Sequence, residues 1–142
     1  MRKPVEIIEG DKSLRLNLYI IVSLYLLIIL LIEPALDLIL HTFFEQRSLQ
    51  HIEKIDKIKL LASTVIYSVV GFIPASYAAW FGYRVVASSK LPPVLLSGKT
   101  RFPFTVVVIK GKHAKMFGVL IIIVSLVLIF QLFLYALKVL IL

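Results

Sequence analysis

The 142 residues are 60% hydrophobic and 17% charged, carry a formal net charge of +8, and include no cysteine. A soluble globular domain averages about 45–50% apolar and about 25% charged residues, so this composition argues against an ordinary water-soluble fold. The missing thiol excludes disulfides, thiolate metal sites and cysteine nucleophiles.

Residues 1–15 form a short polar lead of mixed charge, with Glu6, Glu9 and Asp11 among the bases. The first apolar run, Leu16–Ile32, continues to Leu40. A membrane-crossing helix needs roughly 20 mostly apolar residues at about 1.5 Å rise each, so residues 16–40 are long enough to be a first span. The run exceeds the roughly 7–15 residues of a signal h-region. Glu33-Pro34-Ala35-Leu36-Asp37 also lacks a small-x-small cleavage pattern, so an uncleaved signal-anchor is expected.

Residues 41–59 form an outer amphipathic connection. Leu49, Ile52, Ile55 and Ile58 recur every third position, with Glu53 and Lys57 one turn apart. That pattern predicts a helix with one apolar stripe at the interface or running into the next span.

Span two, residues 60–83, is rich in small side chains. Ser68, Gly71, Ala75 and Ala78, together with Pro74, are the expected helix-packing positions. Small residues let backbones approach closely, which is how helices associate in lipid without a hydrophobic driving force. Pro74 removes one ladder donor and predicts a kink near Gly71–Pro74.

The connection 84–115 holds seven bases and no acid: Arg84, Lys90, Lys99, Arg101, Lys110, Lys112 and Lys115. Leu91-Pro92-Pro93 stops the preceding helix. Val94-Leu95-Leu96 and Thr105–Ile109 flank the turn-bearing Ser97-Gly98-Lys99, which predicts a small β-hairpin. The bases are candidates for contact with anionic lipid headgroups, each worth about 1 kcal/mol near an anionic leaflet. Membrane topology accounts for the charge excess, so nucleic acid is not an expected partner.

Span three, residues 116–142, is broken only by Ser125, Gln131 and Lys138 among strongly polar side chains. The expected fold is therefore an all-α, three-span transmembrane helical bundle with one short hairpin in its cytoplasmic connection. Of the sixteen Lys and Arg residues, eleven fall in the lead and the 84–115 connection and five on the opposite side. The positive-inside rule places the N-terminus and residues 84–115 in the cytoplasm and the C-terminus outside, in a plasma (inner) membrane.

Ionisable groups within membrane helices are costly, so each is a functional candidate. Glu33 and Asp37 lie one helical turn apart, with His41 a turn further on. Counted from the start of each span, Glu33 sits roughly 26 Å up, Asp37 roughly 32 Å and Lys138 roughly 33 Å. Matched depth makes an ion pair of Glu33 or Asp37 with Lys138 the economical expectation, with Gln131 donating from slightly deeper. The alternative is an ion or proton site on the two carboxylates. No HExxH, GxSxG or phosphate-binding glycine loop occurs, so no enzyme, metal or cofactor is expected.

These features point to a small non-enzymatic membrane protein, an accessory or assembly subunit or a homo-oligomer, acting through helix packing on another membrane protein or on itself. The alternatives are a small oligomeric transporter or ion-conducting protein using Glu33 and Asp37, and a protective protein of the bacteriocin-immunity kind.

Overall fold

The computed structural model describes residues 5–43, 49–94 and 101–141. Three long helices dominate: α1 (Lys12–Phe43), α2 (Leu49–Ser88) and α3 (Lys112–Ile141). All three are long and apolar enough to cross a membrane. At about 1.5 Å per residue, the 40 residues of α2 extend roughly 60 Å, well beyond a hydrocarbon core of about 30 Å. The amphipathic segment from Leu49 to Lys59 is continuous with this helix and forms its first turns.

Asp11 starts α1. Its Oδ1 accepts from the Ser13 N–H at 2.9 Å and the Leu14 N–H at 3.4 Å, satisfying donors that the first helical turn leaves open. The helix therefore begins at Lys12, ahead of the apolar run. At the other end of the apolar tract, Ile32, Leu36 and Leu40 form a buried stripe.

Helix α2 is the centre of the bundle. It packs along α3 and against α1, while no Cα of α1 comes within 8 Å of one in α3. The α2–α3 seam is built on small residues. Gly71 meets Leu132 of α3, and Gly82 meets the Gly118 backbone. Ala75, Val85, Ala114 and Ser125 are buried along it. Thr64, Ser68, Gly71, Ala75, Ala78, Gly82 and Val85 follow alternating steps of four and three. This is the period that keeps one stripe facing a neighbouring helix. Pro74 stays on the exposed side of α2, off the seam, and the helix continues through it.

Short strands cap one end of the bundle: β1 (Ile7–Ile8), β2 (Lys90–Leu91), β3 (Val106–Val107) and β4 (Ile109–Lys110). Thr105–Ile109 is extended as expected, and among the described residues its strand partners are the N-terminal lead and the end of α2. Ile7 and Ile8 pair with Val107 and Val106, and Lys90 and Leu91 pair with Lys110 and Ile109, both antiparallel. Residues 95–100 of the expected hairpin lie outside the described residues. One extended stretch thus serves two partners, stitching the N-terminal lead and the end of α2 to the start of α3. Ser89 and Gly111, at φ 51° and 74°, turn the chain at the two helix ends, and the Gly111 N–H donates to the Ser89 carbonyl at 2.8 Å.

Candidate functional site

Two polar groupings stand out, at opposite ends of the bundle. The first contains the intrahelical carboxylates. Glu33 and Asp37 flank the Ile32–Leu36–Leu40 stripe, so both lie beside the α1–α2 contact. Lys59 of α2 reaches both, with its Nζ 3.3 Å from Glu33 Oε2 and 2.7 Å from Asp37 Oδ1. The cation expected from α3 therefore comes from α2. Lys138 and Gln131 are exposed on α3, and Lys138 makes no ion pair with either carboxylate. Sequence depth alone missed Lys59 because it belongs to the segment read as a connection, which is helical and runs back alongside α1.

Among the described residues no three His, Asp or Glu side chains gather at metal-binding distance. The three charged groups are 31–48% exposed, so water screens the pair and its contribution to stability is small.

The second grouping is the strand-capped end, where the lead is fastened to the basic connection. The Asp11 N–H donates to the Phe102 carbonyl at 2.9 Å, and the Val108 N–H donates to the Glu6 carbonyl at 2.9 Å. Arg15 Nε donates to the Pro103 carbonyl at 3.1 Å, and its guanidinium lies over the Phe104 ring at 5.6 Å. Lys90 and Lys110 are directly opposed across the β2–β4 ladder, an unfavourable like-charge register. Glu6 compensates it by pairing with Lys110. That hydrogen bond, together with the fields of Lys110 and Lys90, holds the Glu6 carboxyl below its ordinary pKa.

Beneath this cap, a cleft of about 640 Å3 opens between the first turns of α1 and the ends of α2 and α3. Its lining is mostly apolar, with Leu18, Ile21 and Ile121 among the apolar residues, and Arg84 and Arg101 also line it. The Arg84 guanidinium lies over the Trp80 ring at 5.9 Å and donates to the Val94 carbonyl at 3.0 Å. Arg101 stands 3.8 Å from Asp11.

The seven expected headgroup-contacting bases thus separate into distinct environments. Arg84 and Arg101 line the cleft, Lys90 and Lys110 lie in the β2–β4 ladder, and Lys112 and Lys115 are exposed on the first turn of α3. Lys99 lies outside the described residues. Of the expected packing positions, Ser68, Gly71 and Ala75 adjoin or lie in the α2–α3 seam, and Ala78 lines the cleft.

No family model matches this chain, and no curated protein or solved structure matches it either.

Proposed function

We propose that this chain is a multi-pass integral protein of the plasma (inner) membrane that performs no chemistry itself. On this reading it acts through helix packing, as an accessory or assembly subunit of another membrane protein or as a homo-oligomer. The membrane reading is supported by how little apolar helix surface the chain covers for itself. Only 6%, 17% and 11% of the membrane-length windows of α1, α2 and α3 are buried. In water, such exposed apolar surface would drive association, whereas lipid or a partner helix removes the penalty.

Packing is favoured over transport by one observation. Glu33 and Asp37 are the sole acids in the three apolar runs, and both close on Lys59 at a helix–helix contact. Pinned in this way, they join α1 to α2. The runner-up, a small oligomeric transporter, rests on the one negative charge that Lys59 leaves uncompensated.

The N-terminal lead and the 84–115 connection share one end of the bundle through the β1–β3 ladder, which fits the cytoplasmic assignment of both. Native-membrane extraction in lipid nanodiscs tests the reading. It expects a particle whose mass is a fixed multiple of the chain or a fixed ratio with one partner. Monomers at every protein-to-lipid ratio, or ion flux in proteoliposomes abolished by Glu33→Gln, would overturn it.

A further inference from the structure

We propose that the cleft beneath the strand cap is a binding site for one anionic phospholipid of the surrounding leaflet, with the phosphate on Arg84 and Arg101 and the acyl chains along Leu18, Ile21 and Ile121. The proposal rests on the membrane reading above and adds a defined ligand to it. Three observations carry it. The cleft is large and mostly apolar, with a few fixed polar groups, which is the composition of a ligand site. Its polarity is graded: Ile21 lies two helical turns into α1 from Leu14, whereas Arg101 lies in the connection that caps the bundle. An amphiphile at a bilayer surface has the same gradient.

The third observation is charge. A guanidinium offers five N–H donors in a planar fork suited to phosphate, and the bond to the Val94 carbonyl uses one of those of Arg84. Arg15 stands nearby on Pro103 and Phe104 of the same wall. The acid facing these bases is Asp11, whose Oδ1 is engaged in capping α1 and whose Oδ2 is 3.8 Å from Arg101. The gap is open because α1 leans on α2 alone and leaves α3 apart.

Trp80 is the single tryptophan of the chain and lines this cleft, so its fluorescence reports on the site. The full chain is reconstituted in phosphatidylcholine vesicles containing either phosphatidylglycerol or phosphatidylcholine with brominated acyl chains. Brominated phosphatidylglycerol is expected to quench at a several-fold lower mole fraction. Arg101→Gln, which leaves the Trp80–Arg84 stack in place, should raise the half-quenching mole fraction about fivefold. Arg84→Gln should do the same, whereas Lys112→Gln, which removes one charge from the exposed first turn of α3, should change little.

Equal quenching by both lipids overturns the site and leaves the membrane reading standing. An equal response to Lys112→Gln and Arg101→Gln also overturns it, because diffuse surface charge would then account for the preference. A chain that fails to float with the vesicles and is quenched by neither lipid brings down the membrane reading, and the site with it.

Discussion

The Tyr25 hydroxyl of α1 donates to the Val70 carbonyl of α2 at 3.0 Å. Val70 is the residue whose helical donor would be the N–H of position 74, and proline there has none. In an apolar surrounding an orphaned carbonyl is costly, and a neighbouring helix is one of the few sources of a replacement donor. A proline on the exposed side of α2 thus creates an acceptor that α1 fills, which links a local helix defect to the docking of a separate helix.

Replacing the hydroxyl tests that coupling. Tyr25→Phe is expected to weaken α1–α2 association by about 0.5–1.5 kcal/mol, the range for an interhelical hydrogen bond in lipid. In a Pro74→Ala background the new N–H serves Val70 itself, so the same change should cost close to nothing. Unfolding titrations of the four variants in mixed micelles measure the cycle; equal costs in both backgrounds would refute the compensation.

Glycine substitutions along α2 and α3 should rank by what the added methyl meets. A Cβ on Gly82 or Gly118 would lie 2.8 Å from the other's carbonyl oxygen, and backbone cannot yield as a side chain can. Gly82→Ala and Gly118→Ala are each expected to cost about 1–3 kcal/mol through overpacking. Gly71→Ala meets only the Leu132 methyls at 3.2 and 3.3 Å, which can rotate away, so it should cost less. The same micelle titration gives the order.

Lys59, which meets the carboxylates, and Lys138, the partner expected from depth, separate cleanly. Lys59→Met leaves Glu33 and Asp37 one turn apart without their cation and should modestly loosen the docking of α1 on α2. Lys138→Met, on exposed α3, should leave α1 in place. Because the chain has no cysteine, single pairs introduced across the α1–α2 contact give an unambiguous cross-linking readout.

The strand cap should loosen in acid. Glu6 titrates below its ordinary 4.5 in the folded chain, chiefly because it accepts a hydrogen bond from Lys110, and at 4.5 once unfolded. A depressed carboxylate contributes stability that is present above the unfolded pKa and is lost as pH falls through the folded value. Amide exchange at Val108, whose N–H donates to the Glu6 carbonyl, is therefore expected to accelerate as pH drops below about 4.5, beyond its intrinsic pH dependence. Glu6→Gln should remove that acid sensitivity, and an unchanged profile in the variant would rule out this pair as its source.

Much of the architecture was legible in the chain because it depends on local quantities. The apolar runs predict three helices of spanning length. Small residues at Ser68, Gly71 and Ala75 predict the close face of α2, since side-chain size limits how near two backbones come. The extended character of 105–109 follows from its β-branched run. Less legible was Gly82, which falls in an aromatic stretch where nothing local marks it as the point of closest approach.

What tertiary structure alone decided is partnership. Depth along a helix constrains height but not azimuth, so matched depth pointed to Lys138, and only the packing of α1 on α2 brought Lys59 to Glu33 and Asp37 instead. The Val5–Ile8 stretch is too short to announce itself as a strand, and its pairing with Val106–Val107 arises between residues about a hundred positions apart. The cleft exists only because those distant contacts roof the gap between α1 and α3. Local composition and period determined the three helices, and the angular placement of those helices determined which charges meet and where a ligand could enter.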